Sequence, residues 1–210
     1  RTYGKSYHLV VWFFGIKVRF QGKNGGVGVR AADREANKKS KSKNKKPHFL
    51  DYTPTQQYSC VQMIPKFGDI GGPWNVLPPG VHDATIKEVE ARFATSDHRK
   101  HLFSGFRNGV MALRKVGCRK VFLDGSFITE KPVPGDFDVC WDSTGVDPAK
   151  LDPVFLDFSD RRKKQKGHFH GEFFPANLLA DEKHFFLDYF QIDKYTGNTK
   201  GIICINFPNK

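Results

Sequence analysis

Two aspartates, Asp136 and Asp138, stand two residues apart and are separated by nine residues from a glycine–serine pair, Gly125-Ser126. The run Asp136-Phe-Asp-Val-Cys-Trp141 reads as a strand, and side chains at i and i+2 of a strand share a face. Asp136 and Asp138 therefore point the same way, and Phe137 and Val139 point into the core. Two adjacent carboxylates repel unless a cation sits between them. Hard divalent ions, Mg²⁺ or Mn²⁺, take oxygen ligands and share them with phosphates. Two such ions about 4 Å apart activate an attacking oxygen and steady a leaving pyrophosphate. At the end of the neighbouring strand, Gly125 lets backbone N–H groups approach a phosphate, and Ser126 adds a hydroxyl donor.

The elements that position these residues follow from local signals. Val121–Leu123 is a short apolar strand ending at Gly125-Ser126, and Pro132, Pro134 and Gly135 make the turn before the aspartates. Upstream, Thr85-Ile-Lys-Glu88 is a capping box, and Ile86, Val89 and Phe93 repeat at helical spacing. A second helix begins near Ser96, buries Leu102, Phe106, Val110 and Leu113, and stops at Gly117. Residues 63–80 carry four prolines and read as an extended arm. Downstream, Val154–Phe158 and the run around Glu172 are strand-like, Phe185–Ile192 is strand-like or helical, Tyr195–Thr199 is a turn, and Gly201–Phe207 is a last strand. The expected fold is α/β or α+β: a small mixed sheet with helices packed on one side and the site at the strand ends.

A strand, Gly125-Ser126, a gap of about ten residues and Asp136-Phe-Asp138 on the next strand resemble the signature of the polymerase-beta-like nucleotidyltransferase superfamily. Residues 64–207 also resemble a compact, poorly characterised bacterial family of that fold, through Leu77-Pro-Pro-Gly, Asp124-Gly-Ser-Phe, Gly135-Asp-Phe-Asp-Val-Cys-Trp, Phe155-Leu-Asp-Phe, Gly171-Glu-Phe-Phe-Pro and Lys200-Gly-Ile-Ile. The resemblance implies a Mg²⁺- or Mn²⁺-dependent transfer of a nucleoside monophosphate from an NTP to an acceptor, protein or RNA among the candidates. Asp136 and Asp138 would hold metal, and Gly125, Ser126 and Phe127 would lie against the nucleotide. A third carboxylate, metal ligand and base, would be Glu172, with Asp188 as the alternative. Two other functions stay open. One is an inactive member that binds a protein partner in a bacterial or prophage module. The other is a basic RNA-binding protein, without DNA sequence specificity.

Composition bounds these readings. The chain has 210 residues, 39% hydrophobic and 27% charged, with net charge +12. Residues 1–62 hold 13 Lys+Arg and 3 Asp+Glu (+10), and residues 63–210 hold 21 and 19 (+2), so the basic surplus is N-terminal. That segment, with its lysine tract Lys38–Lys46, reads as a basic, partly disordered or non-native extension. The functional unit is expected over 63–210, starting at Met63. Leu9–Ile16 reads as a short strand rather than a secretory core, and no run suits a membrane span. Four cysteines without a CxxC pair point to a reducing cytoplasm, with Cys140 and Cys204 as buried thiols. His168 and His170 would share a face on a strand, but no third ligand accompanies them. Phe127, Phe173 and Trp141 are core residues by default, with base stacking as the alternative. The basic run Asp160–Lys166 is either a phosphate-contacting segment, through Arg161 or Lys163, or a solvated face.

Overall fold

Thr85 opens the first helix as the sequence predicts. Its hydroxyl accepts from Glu88 N at 3.2 Å, and its own N–H donates to Glu88 Oε2 at 2.7 Å. In the computed structural model, residues 64–208 are described, together with three strands in the N-terminal part: β1 (Tyr7–Phe13), β2 (Ile16–Lys23) and β3 (Gly26–Arg34). These form an antiparallel sheet in the order β1-β2-β3. The lysine tract, Cys60 and Met63 lie outside the described residues.

The rest is a mixed α+β unit. Strand β4 (Gly80–Asp83) is followed by helices α1 (Ile86–Phe93) and α2 (Asp97–Lys115) and by strand β5 (Lys120–Asp124). Then come β6 (Asp138–Trp141), α3 (Lys163–Phe169), β7 (Glu172–Pro175), α4 (Phe186–Tyr189) and β8 (Gly201–Asn206). The five-stranded sheet runs β4-β8-β5-β6-β7. The outer pairs β4·β8 and β6·β7 are parallel, and β5 is antiparallel to both of its neighbours.

Register divides the sheet into two faces. Val121, Leu123, Val139, Trp141, Phe173, Ile203 and Ile205 share one face, and all are buried. Helix α2 packs there: Phe106 meets Phe137 edge-on at 5.6 Å, and Phe137 meets Phe173 at 5.7 Å. The approach is close because α2 carries glycines one turn apart. A Cβ at Gly105 would overlap the Phe169 carbonyl, and one at Gly109 would overlap the Phe173 ring. Ring contacts of Phe155 and Phe169 with Phe173 bring α3 onto the same side. The opposite face carries Phe122, Cys140 and Phe174 together with Asp124, Asp138 and Glu172. The short α4 lies on that side, with Phe186 stacked on Phe174 at 4.2 Å, and Phe158 stacks on the same ring at 5.9 Å.

Three local expectations need correction. Val154–Phe158 is not a strand. Asp152 accepts from Val154 N at 2.9 Å and Pro153 starts a 3₁₀ turn, Pro153–Leu156, so capping chemistry outweighs strand composition. His168 and His170 lie at the end of α3 rather than on a strand, and His170 stacks on His101 of α2 at 4.0 Å. Strand β4 went unforeseen because Gly-Val-His-Asp has little strand character until β8 offers it a parallel partner.

Candidate functional site

The sheet register assembles the site. Asp124 at the end of β5 pairs with Asp138 at the start of β6, and Asp138 pairs with Glu172 at the start of β7. Three carboxylates thus occupy one rung and point from one face, away from α2. Asp136 precedes β6, which begins at Asp138 rather than at Asp136, and Lys166 Nζ links its carboxylate to that of Glu172. Phe137 is fully buried, as is Val139. Glu172 N donates to Phe137 O at 3.0 Å, which extends the β6·β7 pairing back toward Asp136.

Gly125 follows Asp124 with φ +86°, a conformation open chiefly to glycine. A Cβ there would lie 2.6 Å from Asp138 Oδ2 and 3.0 Å from Asp138 N. Gly125 therefore forms the floor of a cradle walled by the Asp138 carboxylate. Ser126 is partly exposed, and its hydroxyl donates only a long contact, 3.5 Å, to Asp136 O.

Phe127 does not face this cradle. It is fully buried, with its ring 6.1 Å from Phe93 and the Arg99 guanidinium 5.6 Å above it. Its ring is a core element and offers no stacking surface to a ligand; the same burial holds for Phe173 and Trp141. Asp188 also lies away from the rung. It lines a groove of about 360 Å³ at the other end of this sheet face, with Lys120, Asp142, Asn177, Phe185 and Leu187. Of the two candidate third carboxylates, the fold brings Glu172 to Asp138.

Crowded like charges define the electrostatics. Burial, then the negative charges of Asp136, Glu172 and Asp124, hold the Asp138 carboxyl well above its ordinary range, and its contact with Glu172 adds to the effect. Burial also pushes Asp124 up, although Lys200 Nζ is paired with it. Two further cations balance the cluster. Lys166 Nζ lies 2.9 Å from Asp136 Oδ2 and 2.9 Å from Glu172 Oε1. Arg162 Nε lies 2.8 Å from Glu172 Oε1, with its guanidinium 5.3 Å over the Phe174 ring. Glu172 Oε1 is buried and receives no well-aligned hydrogen bond, despite two cations at ion-pair distance.

Arg162 reaches this position from a strained turn. Asp160, Arg161 and Arg162 have φ of 45°, 53° and 62°, three consecutive left-handed residues without a glycine among them. Such backbone costs roughly 1–2 kcal/mol per residue and persists where the surroundings over-determine it. Sequence reasoning singled out this basic run but not the contacts of Arg162 and Lys166. It quoted Asp124 and Lys200 without assigning them a role, and it missed Arg99. Arg99 is buried and donates to four carbonyls: Phe93 O (3.2 Å), Phe127 O (2.7 Å), Thr129 O (3.0 Å) and Lys131 O (2.5 Å). It thereby holds the loop that leaves Gly125-Ser126.

The matched family is a Family of unknown function (DUF6932), whose model covers residues 72–206. The chain belongs to this family. The matched span includes the three-carboxylate rung, Gly125, Arg162, Lys166 and Lys200, and excludes β1–β3. No curated protein and no solved structure matches the chain significantly.

The candidate ligands at the rung are all carboxylate oxygens, the donor type that hard divalent ions take. Among the described residues, however, no three acidic, thiol or imidazole groups form a ready ligand set. Lys166 stands between Asp136 and Glu172. No helix among the described residues is long and apolar enough to cross a membrane.

The buried thiols carry a separate expectation. Burial pushes Cys118 and Cys204 up to about 11 and raises Cys140 well above its ordinary value. At pH 8 these three remain protonated and inaccessible. In the folded chain they resist a thiol reagent such as DTNB for hours, and in 6 M guanidinium they react within minutes. Peptide mapping after alkylation checks this residue by residue, and rapid native labelling of Cys140 would contradict the packing.

Proposed function

We propose that the chain is a metal-dependent nucleotidyltransferase, moving a nucleoside monophosphate from an NTP to an acceptor such as a hydroxyl, with pyrophosphate as the leaving group. One observation carries the reading: Asp138 and Glu172 share a rung beside Asp136, and Gly125 holds its backbone against the Asp138 carboxylate where only a glycine fits. In this reading Asp136, Asp138 and Glu172 hold Mg²⁺ or Mn²⁺, which supplies charge neutralisation for a triphosphate. The backbone at Gly125-Ser126 would orient the phosphates, Arg99 fixes the following loop, and Glu172 would accept the acceptor's proton. A protein or RNA acceptor and a cytoplasmic location belong to the same reading. The three free cysteines among the described residues suit a reducing compartment.

A second reading also has an observation in its favour. Lys166 and Arg162 already neutralise Asp136 and Glu172, as in a fold kept for binding a protein partner without catalysis. Calorimetry on the full chain separates the two. Metal-dependent ATP, GTP, CTP or UTP binding, lost in the folded Asp136→Asn/Asp138→Asn double variant, is the expected result. Absence of nucleotide binding by the folded wild type, with either metal, would favour the partner-binding reading.

A further inference from the structure

The two cations at the rung are held differently. Arg162 is fixed from several directions: its side chain is three-quarters buried, its guanidinium lies over Phe174, and its backbone is locked in the left-handed turn. Lys166 is held through its ammonium alone, by a hydrogen bond to Asp136 and by ion pairing. Its side chain is 43% exposed, and its ammonium reaches in from α3 to touch Asp136 and Glu172 equally, at 2.9 Å. A lysine ammonium is a compact point charge on a flexible stem, whereas an arginine fork is directional and harder to replace. Of the other charged groups near this spot, Asp124 is paired with Lys200 and the neighbouring Lys164 of α3 with Asp157 at 2.6 Å, while Asp138 stands among Asp136, Glu172 and Asp124.

We propose that Lys166 is a displaceable internal cation that keeps divalent metal off Asp136 and Glu172 until a nucleotide triphosphate draws its ammonium away. This inference rests on the nucleotidyltransferase reading. Lys166 occupies, with one positive charge, the gap between the carboxylates that a divalent ion would take. A triphosphate at Gly125 offers the ammonium alternative anionic oxygens close by, and the exposed half of the side chain gives it room to turn outward. Metal and nucleotide then bind cooperatively, because each removes an obstacle to the other. Lys166 in this role selects for metal that arrives with a nucleotide and suppresses idle binding of free metal.

The test is Mn²⁺ binding, read from the loss of the free-ion electron paramagnetic resonance signal, on the full chain. Wild type, Lys166→Met and Lys166→Arg are titrated with and without a non-hydrolysable ATP analogue, and thermal melts check folding. Without nucleotide, Lys166→Met is expected to bind Mn²⁺ at least about tenfold more tightly than wild type, since a full charge has left the gap. Lys166→Arg should stay weak, because it keeps the charge. The analogue should tighten Mn²⁺ binding by wild type by about tenfold or more and have a much smaller effect on Lys166→Met. Equal Mn²⁺ affinity of folded Lys166→Met and wild type without nucleotide overturns the inference about Lys166 and leaves the function standing if the analogue still promotes Mn²⁺ binding. If the analogue has no effect on wild type, the coupling fails. If Asp136→Asn/Asp138→Asn is then equally indifferent to Mn²⁺, the nucleotidyltransferase reading fails with it.

Discussion

Replacing Arg99 by methionine is expected to lower the unfolding free energy by about 3–5 kcal/mol, among the largest effects of any single change in this chain. Its guanidinium reaches four carbonyls, three of them in the loop Phe127–Lys131, and burial lowers its pKa without removing its charge. Methionine fills much of the volume but donates nothing, so carbonyls around the site lose their donor in a place that water reaches poorly. Lysine restores the charge but not the fork, and should recover only part of the loss. Urea denaturation followed by circular dichroism measures both variants. Because the loop continues from Gly125-Ser126, the methionine variant should also bind nucleotide more weakly at temperatures where it is still folded. A loss below about 1 kcal/mol would mean that solvent or other donors satisfy these carbonyls and that Arg99 does not organise the loop.

The second prediction has the opposite sign for stability. Asp138→Asn should melt higher than wild type by roughly 2–4 °C at neutral pH, the shift that about 1 kcal/mol produces in a chain of this size. It should at the same time abolish metal-dependent nucleotide binding. Asp138 lies among Asp136, Glu172 and Asp124, and its ionised form is disfavoured by burial and by their charges. Asparagine removes the charge and offers Glu172 an N–H donor. The pH dependence follows from linkage. A carboxyl whose folded pKa lies above its unfolded value, about 4, carries no penalty below that value and acquires one as pH rises through the folded pKa. The advantage of Asp138→Asn should therefore vanish at acid pH and grow as pH rises toward neutral. Scanning calorimetry from pH 4 to pH 8 measures it. A variant less stable than wild type at pH 7.5 would show that Asp138 is a structural partner of Arg162 and Lys166 rather than a strained group kept for binding.

Gain of stability with loss of binding is the signature of a site kept at a cost to the fold. The left-handed turn Asp160–Arg162 points the same way. The cations do not remove the tension, because Glu172 Oε1 has two of them within ion-pair distance and a well-aligned hydrogen bond from neither.

Local chemistry alone determined much of this architecture. Thr85 and Glu88 specify the start of α1, Ser96 the start of α2, and Gly117 its end, because caps and left-handed glycines act within a few residues. The apolar residues Phe137 and Val139 were legible as core, and both are buried, although the strand begins only at Asp138. Tertiary structure decided the rest. Whether Glu172 or Asp188 joins Asp138 depends on the parallel pairing of β7 with β6, a contact across more than thirty residues that no local pattern encodes. The recruitment of Lys200 to Asp124 and of Lys166 and Arg162 to Glu172 has the same origin. Phe127 shows the converse: its position beside Gly125-Ser126 suggested a ligand contact, but burial of an aromatic ring favoured the core, and Arg99 closed over it. Capping, turns and alternation depend on neighbours in the chain and were legible there, whereas the charge balance of the rung depends on which strands meet and appeared only once the sheet had assembled.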